Sequence, residues 1–374
     1  MPIRHGIFVN EPVDGARDIV DVATAVIGLV GTADDADAEL FPANEPVLVA
    51  DVRSALSQAG EDGTLAKALT AIADQASPII VVVRVDETVD PGDQDDTVIG
   101  TLGDYSGIYG LLAAEQQLGV RPRILGVPGL DSAPVAAALG TVARNLNAMA
   151  YLYCADAESV EDAILYRQGF SQREQMLIWP ETSGGAGDII ARALGLRARI
   201  DEVTGWHKTL SNVAVAGVSG LAKPVFFDLQ DASTPAGLLN DAPVTTMVRM
   251  NGYRFWGNRT CSDEPLFAFE SATRTAQVLR DSIARGLIWA VDKPLTKGLV
   301  KDIIETINAD FREKIAQGRL IGANCWFDAS LNSQGDLAAG KLVIDYDFTP
   351  CAPMEDLTLN QRITDKYYAS FSAG

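Results

Sequence analysis

The sequence predicts an α/β protein: a domain with a mostly parallel sheet, then a C-terminal α+β domain, with extended arms at both ends. Three observations carry this. Between residues 63 and 179, helical and strand patterns alternate, and that order builds a parallel sheet flanked by helices. After residue 262 the order changes to two long helical patterns followed by two strands. Apolar residues recur at a period of two at both chain ends, the signature of extended chain.

In chain order, Ile3, Ile7 and Val9 share one parity until Glu11 and Pro12 stop the run, so 1–20 reads as an extended arm. Residues 25–30 and 46–49 are short apolar runs that predict buried strands. Residues 63–76 set Leu65, Leu69, Ile72 and Ala73 on one helical face. The continuous β-branched run 78–84 suits a strand covered on both faces. Residues 87–96 are acidic with no periodic signal, which predicts a surface loop.

Helix-then-strand units follow: 107–118 with 122–127, 132–146 with 148–153, and 158–168 with 175–179. A glycine-rich turn at 184–187 opens a helix over 187–199, 205–213 reads as a short helix, and 218–243 as irregular. Strands are expected at 245–249 and 253–256, helices at 266–289 and 295–317, and strands again at 319–327 and 340–348.

Composition narrows the function. A formal net charge of −20 argues against non-specific nucleic-acid binding and for solubility at high concentration. No apolar run reaches the roughly 20 residues that cross a bilayer, and the N-terminus lacks the apolar core of a secretory signal. A soluble product made in a cytosol, without direct membrane insertion, is therefore expected. Cys154, Cys261, Cys325 and Cys351 are far apart with no C-x-x-C pair, which favours free thiols over disulfides or zinc.

Catalytic chemistry needs convergent titratable groups, and few are offered. The only histidines are His5 in the N-terminal arm and His207, which has no second ligand nearby. The glycines at 184–187 could cradle a phosphate at a helix N-terminus, but the spacing lacks the full G-x-G-x-x-G pattern, and a loop is the expectation. Asp345 and Asp347 read as the solvent-facing side of a strand, not a metal site. No catalytic, cofactor-binding or metal residue is assigned, so no cofactor and no enzyme activity are expected.

The C-terminal stretch is more informative. Leu342, Ile344, Tyr346 and Phe348 alternate with Lys341, Asp345 and Asp347, the period of a half-buried strand. Pro350 and Pro353 interrupt pairing. Beyond them Leu357, Leu359, Ile363, Tyr367 and Phe371 share parity again, although Leu359, Ile363 and Tyr367 also fit one helical face. A strand-patterned tail behind a proline hinge needs a partner. If the partner is another copy, the chain is an assembly subunit.

Several motifs carry a family likeness: GWHKTLSNV from Gly205, NGYRFWGNRT from Asn251, PLFAF from Pro265, KLVIDYDFTP from Lys341 and EDLTL from Glu355. In this order they resemble the tail sheath proteins of contractile bacteriophages and R-type pyocins, of the short type without large outer insertions. The resemblance implies an outer α/β domain over 21–262 and an inner, tube-facing α+β domain over 263–354. Arms at 1–20 and 355–374 would complete the chain.

It further implies a homo-oligomer, a six-fold helical sheath around a tail tube protein, ending at baseplate and tail terminator proteins. The setting would be a virion tail or bacteriocin particle assembled in the bacterial host cytoplasm. Ile3, Ile7, Val9, Leu342, Ile344, Tyr346, Leu357, Leu359, Ile363 and Tyr367 would serve strand exchange between subunits. Lys293, Lys297 and Lys301, spaced by four, would form one helical stripe, and that stripe is assigned to tube contact. The alternatives are a sheath of a type VI secretion or related injection system, and a cytosolic α/β enzyme using the glycines at 184–187.

Overall fold

The computed structural model describes residues 18–372. Strands β1 (Ile27–Thr32) and β2 (Pro46–Val49) precede helices α1 (Val52–Leu56) and α2 (Leu65–Ala73). Then come β3 (Ile80–Val85), α3 (Pro91–Ile99), α4 (Gly110–Leu118), β4 (Ile124–Gly126), α5 (Ala133–Leu146), β5 (Met149–Tyr153), α6 (Val160–Arg167) and β6 (Gln175–Ile178). Helices α7 (Asp188–Val203) and α8 (Pro235–Asp241) lead to β7 (Val244–Arg249) and β8 (Tyr253–Trp256). The C-terminal layer holds α9 (Glu270–Gly286), α10 (Lys297–Ala316), β9 (Leu320–Trp326), α11 (Gln334–Ala338) and β10 (Asp345–Pro350).

The first eight strands form one sheet in the order β2-β3-β1-β4-β5-β6-β7-β8. Its inner pairs are parallel, and only the edge strands β2 and β8 run antiparallel. Alternate side chains of each strand enter opposite cores. Val82 joins α2 and α7 on one face, while Val81 and Val83 join α4 and α5 on the other. Both faces are buried, as the continuous β-branched runs require. Gly195 lets α7 close on α2, because a Cβ there would lie 2.9 Å from the Ile72 backbone. Strands β9 and β10 form a separate antiparallel pair whose core contains Leu279, Ile283, Ile307, Phe311 and Leu320.

Helix α9 joins the two layers, and it is unusual in burying mostly polar residues. Arg197 on α7, with no side-chain exposure, donates to Asp201 at 2.6 Å and to Glu270 at 3.1 Å. Arg274 pairs with the other oxygen of Asp201, and the Tyr151 hydroxyl donates to Glu270. Burial alone would lower the affinity of Arg197 for its proton, but Asp201 and Glu270 carry it above its ordinary value. Two turns on, Gln277 donates to the Ala148 carbonyl at 3.0 Å, and Asp281 pairs with Arg123 and accepts from Asn147 at 2.6 Å. A second connector runs alongside: the Val22 N–H donates to Ser282 at 3.1 Å, and Asp21 pairs with Lys314 at 2.8 Å and Arg319 at 2.9 Å.

The strands of the large sheet lie within two residues of the predicted bounds. Four expectations need correction. The acidic stretch 87–96 is a loop only to Asp90, which caps Gly92 at 2.8 Å; Pro91 then starts α3. Residues 205–213 form no helix. Gly205 and Asn212 take positive φ, and the Asn212 N–H pairs instead with the Phe255 carbonyl at the edge of β8. Within 218–243, Thr234 and Pro235 start the short helix α8. Finally, β10 begins only at Asp345, because the Asn332 side chain both accepts from and donates to the Val343 backbone, each at 2.9 Å. Leu342 and Ile344 therefore lie outside any strand, though they still pack on the C-terminal core.

Removing one charge from the α9 joint should be costly, since the remaining buried ions lose their partner. Asp201→Asn is expected to lower unfolding free energy by about 3–5 kcal/mol, measured by urea denaturation. Glu202→Gln, an exposed neighbour, should stay within about 0.5 kcal/mol. Equal midpoints for the two variants would refute the assigned role of the network.

Candidate assembly surface

The β9–β10 pair presents two open edges among the described residues. A two-stranded sheet is marginal alone, and an unpaired edge is a template for another strand. Here α10 supports β9 from one side, and Tyr346 and Phe348 of β10 turn toward Phe311 and the core. Ile321, Trp326 and Phe327 lie exposed on or beside β9. Asp347 faces solvent, whereas Asp345 is half-buried with one carboxylate oxygen enclosed and without a hydrogen bond. The simple solvent-facing pattern expected of the two acids thus holds only for Asp347.

After Pro350 the chain leaves the body. Residues 351–365 carry no regular element apart from a bend at 365. Leu359 is 80% exposed, Leu357 65%, and Ile363 fully so. The expected second strand is absent because no strand of the same chain lies alongside to pair with it among the described residues. The end of the segment, Lys366–Ser372, closes into a 3-10 helix containing Tyr367. Ile3, Ile7 and Val9 lie outside the described residues.

The root of this segment is held by one contact that sequence reasoning missed. Arg259, just beyond β8, grips the carboxylate of Glu355 with both Nε (3.1 Å) and Nη2 (2.5 Å). Its guanidinium also lies 5.1 Å from the Phe269 ring centroid. The hydrogen bond to Glu355 holds the Arg259 proton more tightly than usual. Both residues fall inside motifs visible in the sequence, but nothing at a separation of 96 positions marks them as partners.

The three lysines are exposed but do not share one helix. Thr296 caps the Leu299 N–H at 3.2 Å and starts α10 at Lys297, so only Lys297 and Lys301 form a helical pair. Lys293 sits in the turn before Pro294, with its ammonium 4.4 Å from the Trp289 ring.

At the glycine turn before α7, the helix N-terminus already holds an anion of its own. Glu181 accepts from the N–H groups of Thr182, Gly187 and Ile189 at 2.7–2.8 Å. Burial pushes its carboxyl up to about 7 against the pull of those three donors. A phosphate would have to displace this side chain. His207 is half-buried, its Nδ1 unpartnered, and burial lowers its proton affinity. Among the described residues no group of three or more His, Cys, Asp or Glu is placed to hold a metal, and all four cysteines are free thiols.

Comparison with known proteins gives a consistent result along the chain. The phage tail sheath protein central domain matches residues 103–261 and the phage tail sheath C-terminal domain matches 262–364. The N-terminal region of domain III of the Gp18 tail sheath protein matches 24–85. The tail sheath protein of Escherichia phage P2 is 51% identical over 98% of this chain and 97% of its own length. The major tail sheath protein of Serratia phage KSP20 is 47% identical over 99% of this chain and 98% of its own. Among solved structures, the contracted sheath complex of the PVC extracellular contractile injection system superposes with a TM-score of 0.72. That match covers 98% of this chain and 99% of the other at 15% identity, a likeness of fold. With domain matches in order from residue 24 to 364 and half of all positions shared with a full-length relative, the chain belongs to the phage tail sheath protein family and is a subunit of a contractile tail sheath.

Proposed function

We propose that this subunit polymerises helically around a tail tube and is linked to its neighbours by its terminal arms. The observation that carries the reading is the pairing of an open two-stranded edge with an exposed, apolar-alternating tail on the same molecule. Residues 355–374 of one copy would add a strand to the β9–β10 sheet of another. Leu357, Leu359, Ile363 and Tyr367 would be buried there against the surface that includes Leu342, Ile344 and Tyr346. About five backbone hydrogen bonds at about 1 kcal/mol net each would give a strong link on a flexible hinge. The N-terminal residues Ile3, Ile7 and Val9 belong to the same proposal.

In this reading residues 21–262 form the outer domain and 263–354 the inner, tube-facing one. The exposed lysines Lys293, Lys297 and Lys301 would meet an acidic tube surface. Exposed pairs contribute about 0–1 kcal/mol each, which suits a sheath that must release its tube. The sheath would end at baseplate and tail terminator proteins, be assembled in the host cytoplasm, and act mechanically with no chemical step. Contraction would be a rigid-body rearrangement from a metastable extended state. Identity of 51% to a phage sheath, against 15% to an injection-system sheath, favours a phage-type particle.

Deleting residues 355–374 is expected to leave a folded monomer that no longer forms helical polymers, read by electron microscopy and sedimentation; polymers of normal length would overturn strand exchange. Reversing the charge of Lys293, Lys297 and Lys301 together should give sheaths that polymerise empty or fail to coat tubes. Tube-filled sheaths at wild-type yield would remove these residues from the tube contact.

A further inference from the structure

We infer that Arg259 and Glu355 form a standing clamp that sets where the C-terminal arm leaves the subunit, and that delivery of the arm to a neighbouring copy depends on this pair. The inference rests on the strand-exchange reading. Arg259 is mounted rigidly. Its neighbours Asn258 and Thr260 exchange backbone hydrogen bonds with Glu270 and Ala268 at 2.9 and 2.8 Å, and Arg259 itself bridges to Phe269. Glu270, one residue further on, belongs to the buried ion network at the start of α9. The clamp is thus anchored on the joint between the two layers rather than on a loose loop.

Between Pro350 and Glu355 the other polar tie among the described residues is weak, the Cys351 thiol to the Gly318 carbonyl at 3.4 Å. From residue 356 to 365 the side-chain hydrogen bonds are local, such as Thr358 to Asp356 at 3.4 Å. Within 351–365, Glu355 is therefore the last residue whose side chain is tied to the body. Without it the tail pivots five residues earlier, at the end of β10, and more backbone must be ordered when it docks.

A storage contact, which would keep the tail from docking, should cover its apolar residues. This one covers none: Leu357, Leu359, Ile363 and Tyr367 are all exposed. The geometry therefore presents the tail instead of sequestering it. Because exposed ion pairs add little to fold stability, the pair can be altered with the fold left intact.

The test uses full-length protein carrying Arg259→Glu, Glu355→Arg, or both, with Glu355→Gln as a milder variant. Critical concentration for polymerisation is read by sedimentation and folding by thermal denaturation. Each single reversal should raise the critical concentration about tenfold, the order expected when part of the freed root must be ordered on docking, with an unchanged melting curve. The double reversal, which restores the pair with its charges exchanged, should return it to within about twofold, and Glu355→Gln should fall between. Single variants that polymerise like wild type, or more readily, would overturn the clamp, as would a double variant no better than the singles. A truncation ending at Glu355 separates the two ideas: if it polymerises normally, strand exchange itself fails. If it does not polymerise while Arg259→Glu does so normally, only the clamp fails.

Discussion

The rest of the structure depends on the buried ion network around α9. Arg197, Asp201, Glu270 and Arg274 sit where the large sheet meets the C-terminal layer, with Tyr151 completing the hydrogen bonds. Burying four charges is expensive, and the cost is offset only when each has a partner at hydrogen-bond distance. An apolar helix could slide or rotate with little penalty. A helix whose Glu270, Arg274 and Asp281 each meet a fixed partner on the sheet side cannot shift by a residue without orphaning ions. The network therefore sets one orientation of the C-terminal layer relative to the sheet.

That orientation governs everything on the candidate assembly surface. The connector around Val22 and the helix α9 run side by side, so two covalent links and a set of ion pairs span the joint. Helix α10, β9 and β10 hang from it, and Arg259 stands at the start of α9, where it holds the root of the tail. The joint is held by buried ion pairs, whereas the chain beyond Glu355 carries exposed apolar side chains. The contrast between the buried polar seam and the exposed tail beyond Glu355 divides the molecule along that line.

Much of this was legible in the sequence. The strands of the sheet are long β-branched runs, and burial on both faces leaves that pattern little room for another reading. The tail's alternation and its proline break also marked a segment whose apolar side chains Leu357, Leu359 and Ile363 stay exposed after Pro350. Errors arose where a few polar side chains redirected the backbone. Asn332 took the hydrogen bonds of Val343 and delayed β10, and Asp90 capped an acidic stretch into a helix. The spacing of four that groups Lys293 with Lys297 and Lys301 runs past the expected helix start at 295, and Thr296 sets the start at Lys297.

The layered α/β class, the lack of familiar catalytic motifs, the family likeness and the apolar face of each strand can all be read from the amino-acid order. These follow from local period and composition, which act over a few residues. Which charges pair is settled by folding, because Arg197 and Glu270, like Arg259 and Glu355, lie far apart in the chain. Charge pairing depends on distances that folding creates, and a list of acidic and basic residues contains none of them. The C-terminal segment was visible from the start as a strand without a partner. Where it leaves the body, and what holds it there, came only from the fold.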